Sequence, residues 1–425
     1  MKRPITVMAV LAAVAALGAC GGSDEPSGGG GTGTTDPAQV KGAVRVIMEE
    51  VPDTDVVKEL LPGFRKAYPG VEVKIEALPY DQMRDRIVSS FLAAKPTYDM
   101  IIVDNPWMVD FVEGGFLDPL DDRIKAAKDY AFEDFSEPLR KFAQVDGKTY
   151  GVPFYNYGLA LVYRKDLYEK AGLSAPQTLD DLKAAAAKLT SDGRSGIAMQ
   201  PQKGYKIFEE WGNYLFAAGG SIQDDEGKVT LDSPEARTAL KEYIAIYKAS
   251  APKNSLNWAF DEAIRAASSD KAAQLLSYNW TLPTLNKEGE LKDSFAVAEV
   301  PGGKAVLGAW YWSIPANSAT KDAAWSFIEW LTSQAQEKQR VIAGGAPVRD
   351  SVLDDPEVWE QGYGEEYYKT VKEILADAAP LAHGRNAEEM INVVGEELNA
   401  AVAGQKSVDD AISAAATRAE ETLAK

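Results

Sequence analysis

Short apolar runs alternate with longer stretches of helical spacing along most of this chain. Residues 44–48 form an apolar run that predicts a strand. Residues 55–68 carry Val56, Leu60, Leu61 and Phe64 at the spacing of one helix face, and Pro62 among them predicts a kink or a break. Residues 71–77 place Val71, Val73 and Ile75 on one side, the alternation of a half-buried strand. A helix is predicted over 80–94 and a buried strand over 100–103. Later strands are predicted at 160–163, 274–278 and 295–300. Helices are predicted at 165–171, 179–189, 204–218, 234–248, 260–268, 322–332 and 388–403. Strands that alternate with helices imply an α/β fold of mostly parallel βαβ units. At 425 residues the chain exceeds one simple core, so two lobes or domains are expected.

The start of the chain follows a different pattern. Lys2 and Arg3 precede an apolar run over 5–17, too short to span a bilayer comfortably. Small residues Gly18 and Ala19 then precede Cys20, the single cysteine of the chain. This is the pattern of a lipoprotein signal peptide, residues 1–19, with acylation of Cys20 after cleavage. Residues 20–42 begin with Gly, Ser, Thr, Asp and Pro in quantity and too little apolar surface to fold, so they are expected to act as a flexible tether. Such a tether reaches about 25 Å by random-coil scaling. No other segment is apolar enough to span a membrane. A globular body tethered to the outer side of a membrane is the expected arrangement.

The formal net charge is -19, and cleavage before Cys20 would remove Lys2 and Arg3 to give -21. That surface repels phosphate backbones, so no nucleic-acid partner is expected. One cysteine and one histidine, His383, exclude disulfide frameworks, Cys-rich zinc sites and two-His metal motifs. No cofactor and no metal is expected: the glycine run 28–31 lacks the Lys-Ser or Lys-Thr of a phosphate loop. Asp224-Asp225-Glu226-Gly227 lacks the full calcium-loop pattern.

Several blocks resemble the family 1 extracellular solute-binding proteins of ABC importers, the group that contains maltose-binding protein. They are Tyr98 to Asp104 with Gly115-Phe116-Leu117-Asp118-Pro119-Leu120, Gly147 to Pro153 with Leu161 to Leu167, and Leu231 to Ala236. Trp312-Ser313-Ile314-Pro315, Phe327 to Leu331 and Gly345 to Arg349 continue the order. The resemblance covers nearly all of the body. It implies a type II-like periplasmic-binding-protein fold: two α/β lobes, each a mostly parallel sheet flanked by helices, joined by a multi-segment hinge. Crossings are expected near 154–159, 281–291 and 314–321. The first lobe would then hold 43–156 and 292–316, and the second 157–291 and 317–425. The implied function is capture of a small solute between the lobes and delivery to a membrane permease, by a protein that is not an enzyme and works as a monomer.

Sugars and polyols need aromatic faces for their C–H surfaces and planar polar groups for their hydroxyls. Trp280 follows the predicted strand 274–278, at a position where the maltose-binding branch carries a stacking aromatic. Trp310 and Trp312 flank Tyr311, and neighbours on a strand alternate, so only part of this trio can face a cleft. Tyr155 and Tyr157 lie in the expected hinge, and Trp211 on a helix near the cleft in the family pattern. Asp104 and Trp107 follow the strand at 100–103, and Glu50 and its neighbour Glu49 follow the first strand, where parallel sheets form their sites. Tyr80 opens a helix, and Arg349 could pair a carboxylate. His383 and Arg385 fall near late ligand contacts of the family. Two other functions suit the same composition: a surface carbohydrate-active enzyme with two carboxylates in an aromatic cleft, or a sugar sensor or adhesion lipoprotein uncoupled from import.

Overall fold

The structure is a computed structural model, and it describes residues 36–224, 226–287 and 291–425. The signal peptide, Cys20 and the first part of the tether lie outside the described residues.

Ten strands occur among the described residues: β1 (Gly42–Glu49), β2 (Val71–Leu78), β3 (Met100–Asp104), β4 (Gln144–Val145), β5 (Lys148–Thr149), β6 (Val152–Arg164), β7 (Gln274–Tyr278), β8 (Phe295–Ala298), β9 (Val306–Ser313) and β10 (Ala379–Pro380). β4 and β5 make a separate small hairpin. The others join in the order β2-β1-β3-β9-β6-β7, with β10 beside β9 and β8 beside β6. The first three are parallel, linked by the helices Pro52–Ala67 and Tyr80–Leu92 as βαβ units. Beyond these three, only the short β10 pairs in parallel, with β9. β9 runs antiparallel to both β3 and β6, and β7 and β8 run antiparallel to β6.

β6 joins the two lobes. From Val152 to Gly158 it pairs with β9, and from Leu159 onward it pairs with β7. The change of partner falls within the expected crossing at 154–159. Gly158 sits at the change because a Cβ there would run into Ile374 on the helix Glu365–Ala376. The other two crossings differ from expectation. The helix Thr281–Lys287 packs on β8 and on the helix Phe260–Ser268, so these residues stay with the second lobe. The chain returns instead through β9. It does not leave again at 314–321, because the helix Lys321–Leu331 packs on β1 and on Pro52–Ala67 in the first lobe. β8 therefore belongs with the second lobe, and the region from 317 to about 349 with the first. The physical reason is local: a strand inserted beside β3 exposes an apolar face that the next helix must cover.

The Pro52–Ala67 helix runs through Pro62 without a break. Its buried face is Val57, Leu61 and Phe64, and both Pro62 and Lys58 point to solvent. The carbonyl that loses a donor there can turn to water. The second lobe packs the helix Tyr205–Ala217 between Pro234–Ser250 and Ala387–Val402, with Val408–Leu423 against the last. No helix among the described residues is long and apolar enough to cross a membrane.

Arg349 is part of this framework and not of a ligand site. Its guanidinium donates to the carbonyls of Thr332 (3.0 Å), Ala131 (2.9 Å) and Tyr130 (2.9 Å), and lies 3.9 Å from the Phe135 ring centroid. It pairs with Asp134 at 3.2 Å and with the fully buried Glu337 at 3.5 Å. Removing one partner of a buried ion pair leaves the other charge without compensation. Arg349→Met should therefore lower unfolding stability by about 3–5 kcal/mol, measured by urea titration, with unchanged ligand affinity in the folded fraction. Lost affinity at unchanged stability would place Arg349 back in a site.

Candidate functional site

The strand ends bring the functional side chains together. Glu49 and Glu50 stand at the end of β1, Asp104 ends β3, and Trp280 follows β7. Tyr157 lies on β6 at the partner change, opposite Gly308 of β9. The position of Tyr157 is fixed from below. Asp53, in the acidic first turn of the Pro52–Ala67 helix, suits the positive end of the helix dipole. It accepts from Arg340 at 2.7 Å and from the Tyr157 hydroxyl. The Arg340 guanidinium also lies over the Phe154 ring at 4.5 Å.

These residues border two joined chambers. The inner one holds about 310 Å³ and the outer about 790 Å³. Both lie within the range of small-molecule sites, roughly 300–1,000 Å³. Glu50, Val51, Pro52, Trp280 and Thr284 line both. In the inner chamber the first lobe supplies Tyr80 and Trp310, and the second supplies Tyr205, Phe260, Tyr278 and Trp280. Trp310 stands edge-on to Tyr80 (5.7 Å, 84°) and to Trp107 (5.5 Å, 80°). The Tyr80 and Tyr205 ring centroids, from opposite lobes, lie 5.2 Å apart. Trp280 meets Tyr157 at 6.3 Å and 62°.

The polar groups are held by tyrosines. Asp104 accepts from the hydroxyls of Tyr80 at 3.0 Å and Tyr205 at 3.4 Å, and its other oxygen accepts from Asn105 N–H at 2.9 Å. Burial holds the Asp104 carboxyl well above the usual carboxylate range; the Tyr80 hydrogen bond opposes this, and Glu49, Glu388 and Glu209 add to it. Tyr278 donates to Glu209 at 2.5 Å, and Lys206 lies 3.3 Å from the other Glu209 oxygen.

Seven of the candidate residues therefore converge: Trp280, Tyr157, Trp310, Asp104, Glu50, its neighbour Glu49, and Tyr80. The others do not line the chambers. Tyr155 is buried and stacked on Tyr157 (5.3 Å, 21°), and Trp107 stands behind Trp310. Trp312 shares a strand face with Trp310 but lies one pleat deeper, packed on Phe154 at 4.9 Å. Trp211 is buried beside Phe208 in the middle of its helix. Arg349 is buried in the first lobe, Arg385 pairs with Glu113 at 3.4 Å, and the backbone of His383 bonds Gln223. Tyr205, Lys206, Glu209, Phe260 and Tyr278 escaped the sequence analysis. The signal for three of them was charge and hydroxyl at the start of the otherwise apolar 205–217 helix.

The Phe-rich side of the first lobe meets the second along a polar seam. Arg84 pairs with Glu388, and Asn386 N–H donates to Asp110 at 2.9 Å. Burial raises the Glu388 carboxyl to about 7; Arg84 opposes, while Asp85 and Asp110 add to the rise.

A sequence profile for bacterial extracellular solute-binding proteins matches residues 50–338. The chain belongs to that family. This solute-binding protein is 26% identical over 414 residues to the mannitol-binding protein of Pseudomonas aeruginosa, covering 89% of this chain and 93% of that one. It is also 26% identical over 352 residues to y4oP of Sinorhizobium fredii, a probable amino-acid ABC transporter periplasmic-binding protein, covering 81% of each. The maltose-bound structure of T. maritima MalE3 superposes with a TM-score of 0.83 at 28% identity, over 90% of this chain and 100% of that chain. The protein is thus an extracytoplasmic, two-lobed binding component, and its family and neighbours are binding proteins and not enzymes.

Glu388 gives the seam a pH dependence. Between its ordinary value of 4.5 and about 7, the folded protein retains a proton that the unfolded chain has released. The contribution of Glu388 to stability is therefore complete below 4.5 and is lost as pH rises through about 7. Thermal unfolding from pH 5 to 8 should show a falling melting temperature, and Glu388→Gln should flatten the lower part of that fall. Buried Glu210, raised to about 8, leaves the upper part in place. An unchanged slope in Glu388→Gln would contradict the assignment.

Proposed function

We propose that this solute-binding protein captures an uncharged sugar, oligosaccharide or polyol between its lobes and delivers it to an ABC permease. The observation that carries this is the inner chamber: aromatic rings from both lobes surround carboxylates already oriented by tyrosine hydroxyls. Ring faces match C–H surfaces, and carboxylate oxygens accept from hydroxyls. The relative from Pseudomonas aeruginosa binds mannitol, and a structural neighbour from Agrobacterium vitis S4 at 25% identity holds D-mannitol. An amino acid, as the name of y4oP suggests for that protein, suits this chamber less well. Its carboxylate would need a free cation, and Lys206 already lies against Glu209.

Contacts from both lobes favour the closed state by their differential free energy, with no bond made or broken. A surface carbohydrate-active enzyme would need two carboxylates free to act on the glycosidic bond. Two of the five carboxyl side chains lining the inner chamber, Asp104 and Glu209, are engaged by tyrosine hydroxyls, and the family matched by the chain is one of binding proteins. Anchoring through an acylated Cys20 would keep the monomeric body near the permease.

A thermal-shift screen of sugars, polyols and amino acids tests the assignment, because a ligand specific for the native state raises the melting temperature. Sugars or polyols should give the shift. Trp280→Ala should then weaken binding of the best ligand by about 1–3 kcal/mol in calorimetry. Shifts with amino acids alone, or sustained breakdown of an oligosaccharide, would overturn the proposal. Unchanged affinity in a folded Trp280→Ala would remove that ring from the site.

A further inference from the structure

Lys206 is placed against the electrostatics of its own helix. It stands in the first turn of Tyr205–Ala217, where the exposed backbone N–H groups disfavour a cation. Its side chain nevertheless points into the inner chamber, only 14% exposed. The ammonium lies 4.1 Å from the Phe260 ring centroid, 5.2 Å from Tyr205 and 5.3 Å from Tyr80. Two of these rings come from the second lobe and one from the first. Together with Glu209 at 3.3 Å they form a cation cage spanning the lobes. Glu49, Glu50 and Asp261 line the same chamber, and Lys206 is the one cationic side chain among the described residues lining it.

Without that lysine, the same walls would suit an organic ammonium. Aromatic faces and several carboxylates are what a protonated amine requires. With it, the cage is occupied and part of the negative charge is compensated. A protonated amine on the guest would meet a like charge at short range in a medium less screening than water. A neutral hydroxyl would not.

We propose that Lys206 sets the charge selectivity of the chamber, filling the cage of Tyr80, Tyr205 and Phe260 and so reserving the site for uncharged hydroxylated guests over amine-bearing ones. The inference rests on the sugar or polyol assignment made above. It adds a residue that discriminates by charge and not by shape.

The test compares two probes that share a carbon skeleton, sorbitol and its 1-amino analogue glucamine, by calorimetry at pH 7. The purified full chain is used as wild type, Lys206→Gln and Lys206→Arg, each checked for folding by circular dichroism. The wild type should favour sorbitol. Lys206→Gln should raise the ratio of glucamine to sorbitol affinity by about tenfold or more, and Lys206→Arg should keep the wild-type ratio. An unchanged ratio in Lys206→Gln, or no glucamine binding by that variant, overturns the inference. If the wild type binds neither probe, glucamine binding gained by Lys206→Gln still supports it. Failure of the sugar and polyol assignment is read separately, from the thermal-shift screen of the wild type.

Discussion

One strand of 13 residues, β6, has to belong to two lobes at once. Its first half is held by β9 and its second by β7, and the change falls between adjacent residues, Gly158 and Leu159. Everything near the cleft follows from that. The aromatic residue just before the change, Tyr157, is presented where the lobes meet, and glycine is required next to it because a helix of the second lobe passes too close for a side chain. The buried Asp53 then fixes Tyr157 through its hydroxyl while Arg340 compensates the charge. A buried carboxylate with a cation and a phenol is costly to disturb.

The cleft combines two kinds of surface that usually separate. Seven aromatic side chains would make it a place for apolar guests, and five carboxyl side chains would make it a place for cations. Tyrosine hydroxyls reconcile the two by binding Asp104 and Glu209 from the edges of the same rings that form the walls. Lys206, the one lysine among the described lining residues, offsets part of the remaining charge. What is left is a chamber with oriented acceptors and ring faces, the chemistry that hydroxylated solutes match.

Much of the fold was legible from periodicity. The alternation in 71–77 and the helical spacing in 55–68 are both present as read, and the helix continues through Pro62, which stands with Lys58 on its exposed face. The length of β6 was not legible: Pro153, Asn156 and Gly158 interrupt any strand pattern, and only tertiary pairing makes the segment continuous. The lobe boundaries suffered for the same reason. Among site residues, those at strand ends, Asp104, Glu50 and Trp280, were found from topology. Trp312 and Trp211 were misplaced because an aromatic at a cleft and an aromatic in a core have the same local sequence, and depth along a strand or helix decides between them. Lys206 and Glu209 were missed although their charges stand out at the start of an otherwise apolar helix, because that pattern does not say which cleft the helix start will face.

The central claim is that the two lobes meet over a guest held by residues of both. Small-angle X-ray scattering of the purified chain, with and without a saturating ligand from the screen, tests it directly. Closure about β6 and β9 predicts a smaller radius of gyration in the bound state and the loss of that change when Trp280 is replaced by alanine at a concentration too low to saturate the variant. An identical scattering curve with tight binding demonstrated in parallel, or a guest bound away from the Tyr80, Trp310 and Trp280 walls, would contradict it.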